Sequence, residues 1–323
     1  MTTIYLIRHA EAEGNLYRRI QGQYDVDVTL NGRRQITALE ERFRNIEVDA
    51  CWSSDLLRTK ATAQAICGPK DLPLQLDSGF REICLGRWEN MPFGQLYTCE
   101  PDLMSVFDND PENWCVGGAE TYRAYTARFL EALDRVVRRH PDSTVCIFSH
   151  GAVIRGAMKT LFPGISVGHS DNTAVTLLKW DGKEFTAEYF NDNSHLSPEI
   201  STLAKQNWWR KDGCREDHNL WFSSEVPMPA GIVVPENVDG FVAFLKREPV
   251  GAVFVRCSDS ETGQLVHMEL LPPWRGMDLA VQLFGQAVFT LRERGMKRLV
   301  LQVGEDPVMN GFCRKFGLTL EHD

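Results

Sequence analysis

The 323-residue sequence lacks a long apolar stretch, an excess of basic residues and any closely spaced pair of cysteines. No run approaches the ~20 apolar residues of a transmembrane helix, and the short run Ile4–Ile7 meets Arg8 at once, unlike a secretory signal. Asp and Glu outnumber Lys and Arg by 44 to 35, and this net charge of −9 argues against broad binding to nucleic acid. A local basic pocket for an anionic substrate is compatible with it.

The nine cysteines form no Cys-x-x-Cys motif, the spacing of many zinc and redox sites. We therefore expect free, mostly buried thiols and a cytoplasmic protein that does not bind membranes. At ~100–200 residues per domain, the length predicts two domains. A composition of 43% hydrophobic and 24% charged residues excludes wholesale disorder.

Up to about Ser201 the sequence alternates strand and helix patterns. The short apolar runs Ile4–Ile7 and Thr144–Phe148 predict buried strands. The spacing of apolar residues in Tyr122–Val136 predicts a long amphipathic helix. Ala174–Trp180 begins a predicted hairpin. This alternation predicts a parallel or mixed sheet with helices on both faces.

A second α/β pattern begins near Gly231. Glu236–Arg247 is interpreted as a helix, Val250–Cys257 as a strand and Leu279–Leu291 as a helix closed by a glycine. A strand, a short helix and a terminal strand are predicted to follow.

Two predicted strands deliver a histidine to the same edge of the first sheet. One strand ends in Arg8 and His9, and the other ends in Ser149, His150 and Gly151. Ligands of open α/β sheets bind at the carboxyl ends of the strands. Gly151 also opens a helix, whose N-terminal amides attract anions.

Two further segments add an arginine, Arg58, and an acid, Glu82. Two histidines, two arginines and one acid suit phosphoryl transfer, which needs a nucleophile, cations for the equatorial oxygens and a proton for the leaving group. An imidazole can be the nucleophile. A module that only binds phosphate esters or phosphopeptides is an alternative, but binding alone needs no general acid, so Glu82 argues against it.

Arg8-His9-Ala10-Glu11 with Asn15, and Phe148-Ser149-His150-Gly151, resemble the histidine phosphatase superfamily, also called the phosphoglycerate mutase-like family. The resemblance covers about the first 190 residues and implies a three-layer αβα domain with a mostly parallel sheet. Supporting motifs follow in family order: Gln21-Gly22, Thr29-Leu30-Asn31-Gly32, Ser53–Arg58, Arg81-Glu82, Gly86–Glu89 and Gly117–Glu120.

The resemblance implies a role for each matching residue. His9 would be the phosphorylated nucleophile and Glu82 the general acid. The other site residues would bind phosphate or substrate: Arg8, Arg58 and His150 around the phosphoryl group, Asn15 and the Gly151 amide as additional donors, and Gln21 and Gly22 on the substrate side. The family needs no metal or cofactor. Ala10 and Ala12 stand where Gly and Thr are commoner.

Mutases of this family follow the acid with a basic residue, whereas Glu82 is followed by Ile83, Cys84 and Leu85. An apolar wall holds a carboxylate poorly. The segment Gly86–Asn90 is similar to the phosphatase branch. Hydrolysis is therefore favoured, and phosphoglycerate mutase-type phosphoryl transfer stays open as the alternative.

The segment Leu271–Ala280 resembles the acetyl-CoA loop of GNAT N-acetyltransferases, in which amides at a helix N-terminus cradle a pyrophosphate. The resemblance implies acetyl-CoA contacts from Arg275, Gly276, Met277, Leu279 and Ala280. Asp278 replaces the middle glycine, and Cys313 stands where many members carry a Tyr. A working acetyltransferase and a fold kept for packing, dimerisation or substrate capping both stay open.

The sequence thus predicts a histidine phosphatase domain over residues 1–202, a Trp-rich connector over 203–229 and a smaller α/β GNAT-like domain over 230–323. The predicted activity is hydrolysis of a small phosphorylated metabolite. An acetyltransferase with a regulatory phosphatase-like domain is a further alternative, and a homodimer is allowed.

Overall fold

A computed structural model describes residues 1–206, 218–301 and 307–316. The predicted terminal strand and the connector residues Trp208, Trp209 and Cys214 lie outside these ranges. The helices are α1 Glu13–Tyr17, α2 Leu30–Phe43, α3 Leu57–Lys70, α4 Phe93–Cys99, α5 Pro101–Asn109, α6 Tyr122–Arg139, α7 Gly151–Leu161, α8 Thr202–Lys205, α9 Ala280–Glu293 and α10 Pro307–Phe316. The strands are β1 Thr2–Arg8, β2 Ala50–Ser53, β3 Leu74–Leu76, β4 Thr144–Ser149, β5 Val175–Trp180, β6 Phe185–Asp192, β7 Leu220–Ser223, β8 Asp239–Leu245, β9 Glu248–Cys257, β10 Thr262–Leu270 and β11 Arg298–Leu301.

The described residues divide into two compact units, and each unit is built from segments that are not contiguous in the sequence. The first unit draws on Met1–Ala12, Gln21–Glu89 and Ser105–Asp217. The second draws on Glu13–Ile20, Asn90–Met104 and His218–Asp323. Two internal segments of the predicted phosphatase region therefore pack with the C-terminal part of the chain.

The first unit contains a six-stranded sheet in the order β3-β2-β4-β1-β5-β6. Strands β3, β2, β4 and β1 run parallel, with helices in the connections between them, whereas β5 and β6 pair antiparallel. The antiparallel pair β5 and β6 is joined by a short turn at Asp181 and Gly182, as the sequence predicts. The predicted α/β character of this region is confirmed.

The first sheet is buried on both faces. Ile7, Phe148 and Val175 pack with Phe43 and Ile66 of helices α2 and α3 in one apolar cluster. Alternate residues of β1 point to the opposite face and are equally buried, so neighbouring helices must cover that face too. Full burial on both faces explains why β1 and β4 read as continuous apolar runs rather than alternating ones.

The predicted amphipathic helix is confirmed as α6. The side chain of Thr121 caps it by accepting a hydrogen bond from the Ala124 amide. Its apolar stripe includes Phe129, Leu133 and Val136, all fully buried. The edge-on contact between Phe129 and Phe80, with ring centroids 5.5 Å apart, ties α6 to the turn that precedes Glu82.

The second unit contains a five-stranded sheet in the order β11-β10-β9-β8-β7, in which only β10 and β11 pair parallel among the described strands. Helix α9 covers it through Leu283, Phe284 and Ala287. The predicted helix over Glu236–Arg247 is wrong, since this segment forms β8 and turns directly into β9. Its core is an unbroken apolar run, which lacks the polar positions of an amphipathic helix.

The segment with α1 packs on α9 within the second unit. Tyr17 lies edge-on to Phe284 and Phe289, with ring centroids 6.0 and 6.1 Å away. A Cβ atom at Gly285 would lie 2.5 Å from the Cβ of Tyr17, so this contact requires glycine. Burial raises the pKa of Tyr17, as expected for a phenol removed from water.

Polar contacts bind the second internal segment to the same unit. Arg19 donates to the Asn90 side chain at 3.0 Å and to Gln286 at 2.9 Å. A Cβ atom at Gly94 would lie 2.3 Å from the carbonyl oxygen of Asn219. The two internal segments are therefore integral parts of the second unit.

Among the described residues, no helix combines the length and the apolarity that a membrane span requires. The described cysteines are free, and half of them are buried, a smaller share than the sequence predicts: Cys51, Cys67, Cys146 and Cys313.

Candidate active site

The histidines that follow β1 and β4 meet at one edge of the first sheet. In the parallel pairing, Arg8 stands opposite Ser149, so His9 and His150 occupy the next positions along both chains. The His9 amide donates to the Ser149 carbonyl at 2.9 Å. The two imidazole rings lie 5.2 Å apart between centroids. Strand register, rather than a flexible loop, thus fixes the pair.

His9 is oriented with one ring nitrogen committed to the backbone. Its Nδ1 lies 2.7 Å from the Ala10 carbonyl oxygen, which can only accept, so Nδ1 carries the proton and Nε2 keeps its lone pair. Burial, with the charges of Arg58 and Arg8 as smaller causes, lowers the pKa of His9 well below its ordinary value. The imidazole is therefore neutral and nucleophilic at neutral pH.

The backbone around His9 is held by residues that sequence reasoning did not select. Asn172 donates from its side chain to the His9 carbonyl at 2.9 Å. The Thr62 hydroxyl accepts the Ala10 amide at 2.9 Å. Thr173, which stands at a φ of +59°, donates its amide to the carbonyl of Arg8. A polar Asp-Asn-Thr run directly before a buried strand was the available signal.

Arg58 is fully buried beside the histidines and holds the loop that carries Gly22. Its Nη2 donates to the Gly22 carbonyl at 2.7 Å and its Nη1 to the Tyr24 carbonyl at 3.1 Å. Burial is the main cause that lowers the pKa of Arg58, to about 10, so the guanidinium stays charged at neutral pH. Its Nε is buried with no partner in the described part of the chain.

Arg8 and His150 show the same incomplete hydrogen bonding. Arg8 donates to the Ser170 carbonyl through Nη1, but its Nε is buried without a partner among the residues described. His150 has Nε2 3.0 Å from the Ser54 hydroxyl, while Nδ1 is buried and likewise unpartnered. A Cβ atom at Gly151 would lie only 3.0 Å from Arg8 Nε, so glycine leaves room for the guanidinium.

These unpaired groups belong to residues that lie around His9. Buried donors without acceptors cost about 1–3 kcal/mol each, and native proteins keep few of them. The Nε atoms of Arg8 and Arg58 are two such donors beside His9, and the Nδ1 atom of His150 is buried without a partner next to them in the described residues. Their donors would be satisfied by the oxygens of a phosphoryl group.

Glu82 lies at the N-terminus of α7, beside the same edge. Its carboxylate accepts the amides of Ala152 at 3.2 Å and Val153 at 2.9 Å. Orphan amides of a helix start thus orient the carboxyl group. Sequence reasoning placed Glu82 in the site but gave no account of how it is held.

Arg128 of α6 holds the segment that carries Glu82. It donates to the carbonyls of Gly79, Arg81 and Glu82 at 2.9–3.2 Å. A bidentate pair with Glu120 fixes the guanidinium, both contacts being 2.9 Å. Arg128 was missed because its helix is about 45 residues away in sequence, so only tertiary packing reveals the contact.

The predicted substrate-side residues fall in different places. Gly22, with φ +52°, would place a Cβ atom 2.5 Å from the Glu89 carboxylate, so only glycine fits. Gln21 keeps its Oε1 buried without a partner in the described ranges. Asn15 lies in α1, within the second unit. Residues 1–206, 218–301 and 307–316 contain no cluster of His, Cys, Asp or Glu that could hold a metal ion.

Comparisons with known proteins agree with this geometry. The chain is 30% identical to a metal-independent phosphoserine phosphatase of Arabidopsis thaliana, over 61% of this chain and 84% of that protein. It is also 30% identical to phosphoglycerate mutase-like protein 4 of the same plant, over 60% and 86%. The solved structure of Bacillus stearothermophilus YhfR superposes with a TM-score of 0.59 at 31% identity, covering 61% of this chain and 100% of that one.

A family model for the histidine phosphatase superfamily, branch 1, matches residues 4–193. The matched range contains His9, His150, Arg8, Arg58 and Glu82. The chain therefore belongs to the histidine phosphatase superfamily, branch 1.

Proposed function

We propose that the chain hydrolyses small phosphate monoesters in two steps through a phosphohistidine at His9. The observation that carries the proposal is the neutral His9, whose Nε2 keeps its lone pair, beside the Arg8 and Arg58 Nε donors, which find no acceptor in the described part of the chain. Its family membership and its phosphatase relatives support the same reaction class.

In the first step Nε2 of His9 attacks phosphorus, and the bond from phosphorus to the ester oxygen breaks. Arg8, Arg58 and His150 donate to the equatorial oxygens, whose charge they stabilise. Glu82 gives a proton to the leaving oxygen. In the second step water attacks phosphorus, the phosphorus–nitrogen bond breaks, and Glu82 takes the proton from water. The enzyme returns to its starting state with phosphate released.

Turnover of 4-nitrophenyl phosphate tests this proposal. His9→Ala removes the nucleophile and is expected to lower kcat by at least 10³-fold, since the buried donors alone supply only part of the catalysis. A denaturing quench of the wild type at alkaline pH during turnover should trap phosphate on the protein that later acid treatment releases, and the variant should trap none. Equal phosphate release by both proteins would contradict the mechanism.

Glu82→Gln separates catalysis from simple binding. The variant keeps the shape of the side chain but cannot supply a proton, so we expect slower turnover with retained binding of inorganic phosphate. Unchanged turnover would contradict the assigned role. Product analysis with 3-phosphoglycerate tests the mutase alternative, since appearance of 2-phosphoglycerate instead of free phosphate would favour mutase-type transfer.

Acetyl-CoA binding by the second unit is a separate proposal. The loop of Arg275, Gly276 and Met277 leads from β10 into α9, whose first residues are Ala280 and Val281. Asp278 stands at a φ of +56°, a conformation that glycine adopts more readily, in agreement with the glycine of the GNAT pattern. Calorimetry with acetyl-CoA is expected to show binding heat, and no heat at millimolar ligand would contradict the proposal.

A further inference from the structure

An open pocket in the first unit adjoins the proposed general acid. Two of its lining residues touch Glu82 directly: Ile83 follows it in the chain, and the Ala152 amide donates to its carboxylate at 3.2 Å. In the proposed reaction Glu82 protonates the leaving oxygen. The leaving group must therefore extend from Glu82, and this pocket is the space next to it.

The wall of the pocket is largely aromatic. Trp114 and Phe107 both line it, with ring centroids 5.0 Å apart. Tyr125 lines the pocket from α6 and is almost fully buried. Such a wall suits an apolar or aromatic carbon skeleton, which gains free energy by leaving water.

One residue of the pocket wall also carries an unsatisfied donor. Trp114 is only 2% exposed, and its indole Nε1 is buried with no acceptor in the described part of the chain. An indole nitrogen can only donate, so the group that would satisfy it is an acceptor. A purely hydrocarbon leaving group would leave this donor unpaired at a cost of about 1–3 kcal/mol.

Two cations line the pocket from α7. Arg155 and Lys159 are four residues apart, so their side chains share one helix face. Arg155 lies 3.0 Å from a ring nitrogen of His169, and neither cation forms an ion pair with a carboxylate among residues 1–206, 218–301 and 307–316. Both charges remain available to a ligand.

We propose that the natural substrate is a phosphate monoester whose leaving alcohol combines an apolar or aromatic body with a carboxylate. The aromatic wall takes the body, Arg155 and Lys159 take the carboxylate, and the Trp114 indole donates to an oxygen of the same ligand. This inference rests on the proposed phosphatase function. It differs from the sequence argument, which searched for cations only in the segment directly after Glu82 and found an apolar one.

Two matched aryl phosphates test the proposal. The first is 4-(2-carboxyethyl)phenyl phosphate, and the second is its amide, 4-(2-carbamoylethyl)phenyl phosphate, which has the same shape without the charge. We expect the wild type to favour the carboxylate in kcat/KM by about 10-fold, the size of one charge-assisted hydrogen bond in a partly open site.

Arg155→Met and Lys159→Met are each expected to lower this ratio by about threefold or more, since each removes a cation that faces the carboxylate and keeps most of the apolar volume. Trp114→Phe removes a donor that both substrates can use, so it should lower kcat/KM for both and leave the ratio unchanged. Lys183→Met, an exposed lysine in the turn between β5 and β6, removes the same charge elsewhere in the first unit and should leave the ratio unchanged. A fall in this control equal to that in Lys159→Met would contradict a local site.

Equal kcat/KM for the two substrates, with phosphate release that still depends on His9, would overturn the pocket proposal and leave the phosphatase function standing. Release of phosphate from neither substrate, nor from 4-nitrophenyl phosphate, would contradict both proposals.

Discussion

Both units place an arginine near the start of a helix, but one arginine is buried with a donor unpaired among the described residues and the other is exposed in an ion pair. In the first unit, Arg58 is fully buried, and its Nε lacks a partner in the described residues. In the second unit, Arg275 is 58% exposed and pairs with Glu269 at 2.9 Å. Asp278 of the same loop is 85% exposed and pairs with Lys315.

This difference separates a prepared anion site from a loop that satisfies its own charges. Burying a guanidinium with a donor left open destabilises the folded chain unless a ligand completes the set. Pairing on the surface costs little and contributes little. A sequence motif reports that an arginine is present, whereas the state of its donors indicates whether a ligand is needed to complete its hydrogen bonds.

Between the two arginines, the larger expected effect comes from removing the buried one. Arg58→Met should lower kcat/KM for 4-nitrophenyl phosphate by about 10²–10³-fold, or about 3–4 kcal/mol of transition-state stabilisation. Circular dichroism and urea titration establish how much of the variant is folded, so that activity is compared per folded molecule. A loss below fivefold would remove Arg58 from the phosphoryl site.

The pH dependence of the free energy of unfolding tests the burial of the two site histidines. Burial keeps the pKa of His9 and His150 well below the ordinary value of 6.5, so at acid pH the unfolded chain binds protons that the folded chain does not. The free energy of unfolding should therefore fall as pH drops below 6.5, by up to about 1.4 kcal/mol per pH unit for each histidine.

Urea titrations from pH 7.5 to 5 in phosphate-free buffer measure this slope. Because His9→Gln removes one of the two histidines, its slope between pH 6 and 5 should be smaller by about 1 kcal/mol per unit. Identical slopes in wild type and variant would show that His9 titrates alike in both states.

A smaller effect tests whether the segment of α1 truly packs in the second unit. Gly285→Ala forces a methyl group against Tyr17 and should lower the free energy of unfolding by about 1–2 kcal/mol, despite the better helix propensity of alanine. Gly311→Ala in α10 meets no atom within 4 Å and should raise stability by up to about 1 kcal/mol. Urea titration checks both, and a stabilising Gly285→Ala would refute this packing.

The smallest effect is expected at the satisfied loop of the second unit. Arg275→Met breaks an exposed ion pair and should leave kcat/KM for 4-nitrophenyl phosphate within twofold of the wild type. A loss comparable with that of Arg58→Met would show that the two arginines are not as different as their surroundings indicate.

Local signals predicted much of the first unit. The strands that end in His9 and His150 are buried on both faces, and such strands read as apolar runs whatever surrounds them. Parallel pairing then brings their ends together, so the apolar runs alone were enough to predict that both histidines share one edge of the sheet. Arg58 and Glu82 followed from motif spacing, but their partners did not.

The remainder depends on contacts between distant parts of the chain. The contacts of Arg128, Thr62 and Asn172 join residues that are 47–163 positions apart in the sequence, and no local pattern encodes them. The helix prediction for the segment of β8 failed for another reason. A short apolar run fits a helix or a strand, and the pairing of this segment with β9 decides between them. Neither kind of information resides in a short window of sequence.

The way the units share the chain has a consequence for how the protein can be taken apart. Residues 13–20 and 90–104 lie between parts of the first unit along the chain, yet pack in the second. One cut after residue 217 would thus leave both segments without their apolar partners. No single cleavage could release either unit whole. The C-terminal sheet accordingly cannot be separated by one cut, because both units are built from the same interleaved chain.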